Sequence, residues 1–342
     1  MHKIRTERGD VMTKRIALLY GGASSEHDVS VMGYEYVSSL LRNTKYEIIP
    51  IYIGKNGEWS YRLADSDVKV YPIAENGGGL HTERGFIKID AAIPLLHGDG
   101  GEDGTVQGAL ECAKIPYVGA DVTASAICLD KAYTKIIAHS LGIPTVKGVA
   151  PSVDSSTDEA LRLCCEELSF PMFIKPRRLG SSVGAYPLYD ADDFKHFYPL
   201  SKDVGRGLVT VEKCLTDKRE LECAFIQLGG KKAVTPPGEI LIEDFYGYEE
   251  KYGGSTKLAI HADIDRKTED RIIKYAKILA DAVNLRHLGR IDFFLSGEEI
   301  FFNEINTFPG FTKESLYPKL IQEYGINPKD ALISFIDEAV SW

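Results

Sequence analysis

The stretch Arg290–Gly310, R-I-D-F-F-L-S-G-E-E-I-F-F-N-E-I-N-T-F-P-G, restricts the fold more than any other part of the chain. Its apolar and aromatic runs break at Ser296-Gly297-Glu298, the pattern of two antiparallel strands joined by a tight turn. Side chains alternate between the faces of a strand. Arg290 and Asp292 therefore share one face, and Glu304 and Asn306 share one face of the partner. A turn centred near Gly297–Glu298 sets Asp292 almost opposite Glu304. Two carboxylates and an amide oxygen then converge beside a guanidinium, and an oxygen-only cluster suits a hard cation such as Mg²⁺. An ordinary hairpin can turn the same residues to solvent, since exposed carboxylates are commonplace. These strands are too apolar for a solvated edge, and Thr307-Phe308-Pro309-Gly310 ends the second one abruptly. The expectation is a buried hairpin that delivers its acids to a site.

A chain of 342 residues exceeds one simple core, so two or three domains are expected. No apolar run approaches a membrane span, and Met1–Val11 lacks the apolar core of a signal peptide. A formal charge of −10 argues against nucleic acid or an anionic membrane as partner. A bound polyanion would have to be held by local lysines and metal. Cys112, Cys128, Cys164, Cys165, Cys214 and Cys223 contain no C-x-x-C pair, which argues against zinc. They read as reduced thiols of a cytoplasmic protein, mostly small core residues.

Order is expected to begin at Arg15–Gly21, a short apolar strand, and Met12 is a candidate start. The Gly21-Gly22 turn leads into a helix with Val29, Met32/Gly33, Tyr36/Val37 and Leu40/Leu41 on one face, and Ser25 with Asp28 resembles a capping box. The G-x-G-x-x-G spacing of a dinucleotide site is missing. Tyr46–Ile53 and Ala91–Leu96 read as further strands, while the polar span Arg62–Gly85 reads as a surface excursion. With helix Thr105–Cys112 and strand Ile115–Val118 they form an open, mostly parallel α/β domain closing near Val122. Ligands collect at the carboxyl ends of such strands, where the Gly21 turn and His97 fall. A second unit runs through helix Ala124–Leu141, strand Val146–Ala150, helix Asp158–Leu168, strand Met172–Lys175 and strand Leu208–Glu212. Strands Glu220–Gln227 and Lys232–Leu241, an aromatic and glycine-bearing segment Glu243–Gly254 and helix Thr268–Val283 precede the hairpin. Helices near Tyr317–Tyr324 and Pro328–Val340 follow it.

Between these elements, Lys175-Pro176 followed by Gly180-Ser181-Ser182-x-Gly184 has the chemistry of a phosphate clamp. Small residues let backbone N–H groups approach phosphate oxygens, hydroxyls add donors, and the lysine adds a point charge. A plain glycine turn is the competing reading. Lys131 is a candidate second phosphate ligand or a solvated lysine. Glu212-Lys213-Cys214-Leu215 reads as the linker between two halves of a nucleotide cleft, with Glu220 near for ribose hydroxyls, or as a charged edge strand.

A phosphate loop, a hinge-like E-K-x-L and a distal D…E-x-N hairpin, in this order, resemble the ATP-grasp enzymes. A longer ordered set is similar to the D-alanine–D-alanine ligases. It comprises Gly21-Gly22-x-Ser24-x-Glu26, Leu96-His97-Gly98-x-x-Gly101-Glu102-Asp103-Gly104, Asp130-Lys131, Ile174-Lys175-Pro176 with its glycine loop, Glu249-x-Lys251-Tyr252, and Asn303-Glu304-x-Asn306-Thr307-x-Pro309-Gly310. The match runs from about Lys14 to the C-terminus. Lys218-Arg219 before Glu220, His261-Ala262 and Lys313-Glu314 depart from the family pattern.

The resemblance implies an α/β chain with an N-terminal open parallel domain, residues 1–122, followed by a two-part ATP-grasp fold, residues 123–211 and 212–342. It implies ATP-dependent joining of two D-alanines through an acyl phosphate, for peptidoglycan precursors, in a cytoplasmic homodimer. Asp292, Glu304 and Asn306 would hold Mg²⁺, with two ions expected and Mn²⁺ an alternative. Lys131, Lys175, Ser182 and Lys251 would meet phosphates, and Glu212, Lys213, Leu215 and Glu220 the nucleoside. Glu26, linked to Ser181 and Tyr252, would take the first substrate's ammonium. Arg290, His97 and the backbone at Gly310 would face the oxyanion, and Ser315 and Leu316 would seat the second substrate. Tyr252 would close a lid. Resistance-type ligases that join D-serine or D-lactate commonly carry Arg at the position matching Leu316. A non-catalytic ATP-grasp regulator is the remaining alternative, and it should have lost acids or lysines that are intact here.

Overall fold

A computed structural model describes residues 13–62, 66–241 and 257–341, arranged around three sheets. In the first, β1 (Lys14–Gly21) is buried from Ile16 onward and pairs in parallel with β2 (Tyr46–Ile53) on one side and β7 (Ala91–Pro94) on the other. The sheet does not stop at β2. Strands β3 (Trp59–Arg62), β4 (Asp67–Ile73), β5 (Gly79–Thr82) and β6 (Gly85–Lys88) extend it as an antiparallel meander. The span Arg62–Gly85 is thus sheet and not a surface excursion. Its polar composition hides a period of two, in which Val68, Val70 and Leu80 point inward while Lys69 and Tyr71 face out. Ile115–Val118, expected as a strand, contributes a single bridge from Tyr117 to Ala92.

Helix α1 (His27–Leu41) has Glu26 at its N-cap position, one residue beyond Ser25, and the Glu26 side chain makes no cap bond. Ser24 closes this turn instead, accepting from the Glu26 amide and donating to the His97 carbonyl at 2.7 Å. After α2 (Thr105–Cys112), the single helix expected over Ala124–Leu141 is two, α3 (Val122–Leu129) and α4 (Lys131–Ser140). Asp130 sits at the break in extended conformation and caps α4, accepting from the Ala132 and Tyr133 amides. Apolar periodicity runs through the break; the short acceptor side chain is what favours a cap over a helix interior.

The second sheet is antiparallel, with β8 (Gly148–Val149), β9 (Met172–Pro176), β10 (Tyr186–Leu188) and β11 (Val209–Lys213) in the order β10-β9-β11-β8. Helices α5 (Thr157–Glu167) and α6 (Ala191–Val204) cover it through Cys164, Phe194 and Tyr198. The third sheet holds β12 (Arg219–Leu228), β13 (Lys231–Val234), β14 (Gly238–Leu241), β15 (Lys257–Ala259), β16 (Leu288–Ser296) and β17 (Glu299–Asn306). One strand expected over Lys232–Leu241 is split into β13 and β14 at Pro236-Pro237, where backbone donors are missing. Helix α7 (Arg266–Ala282) packs on this sheet, and α8 (Leu316–Glu323) and α9 (Pro328–Val340) end the described chain. Ile16, Leu18, Val37 and Leu41 of the first sheet and its helix share one core with Leu288, Tyr317, Leu332 and Phe335.

No helix among the described residues is long and apolar enough to cross a membrane. All six cysteines are free; Cys128, Cys164 and Cys223 are core residues, and burial pushes the Cys164 thiol up to about 12.

His287 joins the outer sheets and makes stability sensitive to acid. It is 1% exposed, and its Nδ1 accepts from the Gly119 amide at 2.9 Å, which requires the neutral ring. Burial, helped by the Arg286 charge, lowers its pKa to about 4. The unfolded chain titrates near 6.5, so it binds the extra proton first as pH falls. Stability attributable to His287 is complete above about pH 6.5 and is lost as pH falls through about 4, an effect of ~3 kcal/mol. His287→Asn keeps an acceptor and tolerates the positive φ of 59°. Urea midpoints at about pH 7 and about pH 4.5 should diverge less in this variant than in the parent; equal divergence would rule out His287 as the cause.

Candidate active site

The hairpin β16–β17 has the register expected of it, with Asp292 opposite Glu304 and Arg290 opposite Asn306. Arg290 donates to both Asp292 oxygens at 2.8 Å, and the Asn306 amide NH₂ donates to Asp292 at 3.0 Å. A third strand adds a residue that the sequence reading missed. Glu222 of β12 lies beside Asp292 in register, and its carboxylate meets Arg290 at 3.1 Å. Burial works against the Arg290 charge, but Asp292 and Glu222 outweigh it and hold the guanidinium far above its ordinary pKa. The signal was available in Glu220-x-Glu222, two acids on one face of a strand.

Lys131 opens α4 and reaches Glu304 at 3.1 Å and the Leu179 carbonyl at 2.8 Å. Asp130, fully buried, accepts from Arg177 through two 2.9 Å bonds and from Arg178. The base of the glycine loop is thereby fixed to the start of α4. Farther along β9, Lys175 bonds Asn303 of β17 at 3.2 Å and pairs with Glu212 of β11 at 3.1 Å. Lys135, one helical turn after Lys131, bonds the other Glu212 oxygen. Its spacing of four from Lys131 was the readable sign that it faces the same way.

The glycine loop then crosses to the first sheet. Ser181 donates to Glu26 at 2.6 Å, joining residues 155 apart in sequence. Ser181 and Ser182 both adopt positive φ, 53° and 57°, a left-handed conformation unusual outside glycine. Glycines pack closely on either side of the Glu26 carboxylate, and Gly98 also has a positive φ of 65°. A Cβ at Gly98 would lie 3.1 Å from Glu26 Oε2, and one at Gly180 would lie 3.2 Å from it.

His97 is 7% exposed and contacts the Phe308 carbonyl through Nδ1 at 3.2 Å. A carbonyl only accepts, so Nδ1 carries the proton; burial lowers the ring's pKa and keeps it neutral. Glu102, also missed, accepts from the Gly98 and Phe308 amides at 3.0 and 3.1 Å. Burial, with the Glu26 charge second, raises its carboxyl to about 7. On the far wall Ser315 precedes α8 and exchanges hydrogen bonds with Thr312. Leu316 is 5% exposed and belongs to the shared core.

A cavity of about 880 Å³ collects Glu26, His97, Lys131, Ser181, Arg290, Glu304, Asn306, Gly310, Ser315 and Leu316. Lys175 and Glu212 lie beside it, linked through Asn303 to the hairpin. Ser182, Lys213, Leu215 and Glu220 do not line this cavity, and the Glu220 carboxylate pairs with Lys218 at 2.6 Å. Lys251, Tyr252 and the whole segment Glu243–Gly254, with Glu249 in it, lie outside the described residues.

The donor set suits a magnesium ion shared with phosphate. Asp292, Glu304 and Asn306 offer only hard oxygen ligands. Among the described residues no group of three His, Cys, Asp or Glu forms a complete protein cage. Mg²⁺ asks for less, one or two carboxylates plus substrate oxygens. Asp292, Glu304 and Glu222 set three negative charges against Arg290 and Lys131, and the surplus favours a cation.

A cavity lined by lysines and carboxylates, with an acid-bearing hairpin in its wall, is that of an ATP-grasp ligase, the fold of the solved relatives below. The chain belongs to the D-alanine–D-alanine ligase family. Residues 15–120 match the family's "D-ala D-ala ligase N-terminus" and residues 137–337 its "D-ala D-ala ligase C-terminus". It is 37% identical to the D-alanine–D-alanine ligase of Thermoanaerobacter sp. (strain X514), over 96% of each chain. Against the enzyme of Deinococcus radiodurans it is 35% identical, over 96% of this chain and 99% of that one. The crystal structure of D-alanyl-alanine synthetase A from Vibrio cholerae superposes with a TM-score of 0.87 at 32% identity, covering 97% of this chain and 100% of that one. The VanG D-Ala:D-Ser ligase of Enterococcus faecalis superposes at 0.86 and 31%, covering 95% and 99%.

Proposed function

We propose that this cavity joins two D-alanines to D-alanyl-D-alanine, driven by ATP. The observation that carries the reading is the meeting of Glu26–Ser181, the Arg290-bearing hairpin and Ser315–Leu316 in one cavity. A carboxylate is a poor acyl donor because its oxygen leaves badly. Transfer of the γ-phosphoryl group to the first D-alanine gives an acyl phosphate and ADP. The second amine then adds to the acyl carbon, and the tetrahedral species expels phosphate.

In this reading Glu26, steadied by Ser181, holds the first ammonium. Lys131, Lys175 and Ser182 meet phosphate oxygens, while Glu212, Lys213, Leu215 and Glu220 take the nucleoside. Asp292, Glu304 and Asn306 would hold Mg²⁺, with two ions expected, and the metal would neutralise charge at the transferring phosphoryl group. Arg290 and the Gly310 amide face the oxyanion. The neutral His97 serves them by fixing the carbonyl of Phe308, two residues before Gly310, rather than by donating itself. The roles of Lys251 at the phosphates and Tyr252 in a lid rest on the sequence resemblance. So do the cytoplasmic location, the homodimer and the supply of product to peptidoglycan.

Whole-chain likeness does not separate a D-alanine from a D-serine acceptor, because both kinds of solved relative fit equally well. Leu316 does. An apolar wall contacts a methyl group and offers a hydroxyl no partner, so it discriminates against the added OH weakly but in one direction. Product analysis with D-alanine offered alone and against D-serine and D-lactate tests this. The expected result is phosphate release that requires D-alanine, with kcat/KM for D-alanine as acceptor about tenfold above D-serine and higher still over D-lactate. A larger kcat/KM for D-serine or D-lactate in the second site would overturn it.

A further inference from the structure

We infer that Lys135 is a positioning residue of the nucleotide cleft, holding the Glu212 carboxylate so that Lys175 is free to meet phosphate. The inference rests on the ATP reading above and adds a residue that the motifs do not include.

Glu212 is 3% exposed and is the last residue but one of β11, just before the linker into the third sheet. Both its oxygens are used, one by Lys135 and one by Lys175 at 3.1 Å. Lys135 and Lys175 are each 11% exposed in their side chains, so the three groups form a nearly dry cluster with one negative and two positive charges. Burial and the Lys175 charge bring the Lys135 ammonium down to about 8, and the two lysines hold the Glu212 carboxyl at about 2 against its own burial. The Lys135 ammonium and the Glu212 carboxylate are therefore both charged at neutral pH.

The charge count explains why two lysines are needed. If Lys175 were the sole partner of Glu212, turning its ammonium to a phosphate oxygen would strand a buried anion. Losing one partner of a buried pair is far more costly than never forming it. With Lys135 fixed on the other oxygen, Glu212 stays compensated whichever way Lys175 points. Lys135 does not line the cavity and sits one turn along α4 from Lys131, which does. One helix face thus serves both ends of the cleft, Lys131 toward Glu304 and Lys135 toward Glu212.

The test uses the full chain with Lys135→Met, Lys135→Arg, Glu212→Gln and the double variant Lys135→Met/Glu212→Gln. Binding of a non-hydrolysable ATP analogue with Mg²⁺ is measured by calorimetry, alongside KM for D-alanine and the thermal midpoint. Lys135→Met should weaken nucleotide binding by at least about tenfold and move the D-alanine KM less than about twofold. Lys135→Arg should recover most of that affinity. In the double variant the neutral amide that replaces the Glu212 carboxylate needs no counter-ion, so affinity should return to within about threefold of Glu212→Gln alone. Unchanged affinity in Lys135→Met, or a double variant that loses about as much again relative to Glu212→Gln as Lys135→Met loses relative to the parent, overturns the inference. A parent protein that binds nucleotide but never makes dipeptide would instead overturn the proposed reaction, so the two failures are told apart.

Discussion

Asp292→Asn is expected to lower kcat by about 10³-fold at saturating Mg²⁺ while leaving the thermal midpoint within a few degrees of the parent. The substitution keeps size and one acceptor oxygen but removes a charge from the proposed magnesium ligands. About 4 kcal/mol of stabilisation of the transferring phosphoryl group corresponds to that rate loss. Stability should change little because Arg290 retains Glu222 at 3.1 Å and is not left uncompensated. Initial rates and melts on the same preparation decide the matter. Near-parental turnover would remove Asp292 from the metal site, and collapse of the melt would make the charge structural.

Arg290→Met should have the opposite balance, with a large loss of stability as well as of activity. Glu222 and Asp292 are cross-strand neighbours in β12 and β16, both below 10% exposed and both negative. Like charges placed opposite one another destabilise a sheet. The guanidinium between them makes the arrangement tenable, through two bonds to Asp292 and one ion pair to Glu222. Removing it takes the shared counter-charge from two buried acids, at a cost of about 3–5 kcal/mol. Adding Glu222→Gln to Arg290→Met should return roughly half of the loss, since one of the two opposed charges is gone. A lone Arg290→Met with the parental denaturation midpoint would show that the acids do not depend on it.

The hairpin was legible in the sequence for a physical reason. Alternation along a strand is a local property and the turn at Ser296–Glu298 is readable, but that turn alone would set Asp292 against Asn303; a register shift between Asp292 and Phe293 brings Glu304 opposite it. Lys131, Ser181, Glu26 and His97 were found through motifs, and the fold brings them to one cavity. What was not legible lay in partners remote in sequence. Glu222, Glu102 and Lys135 become site residues only because of the strand, loop or helix packed against them. The local signs they carry, Glu220-x-Glu222, the spacing of Lys135 from Lys131 and the place of Glu102 in its glycine motif, do not name those partners. The meander β3–β6 failed for a different reason, as its inward valines are diluted by charged neighbours that face solvent. The break at Asp130 was obscured by apolar periodicity that continues on both sides.

The core shared by α1, β1, Tyr317 and Phe335 bears on the order in which the molecule can be made. A ribosome delivers the first sheet early, yet the side chains that cover part of it lie some three hundred residues downstream, in α8 and α9. Closing a loop of that length has an entropic cost that grows only slowly with length, but it delays the contact until nearly the whole chain exists. Ile16, Leu18 and Val37 can meet Ala91 and Ile93 early, but they cannot reach Tyr317, Leu332 and Phe335 during most of synthesis. The second sheet, whose core draws only on residues between Val149 and Val211, faces no such wait and can fold while the rest is still being translated.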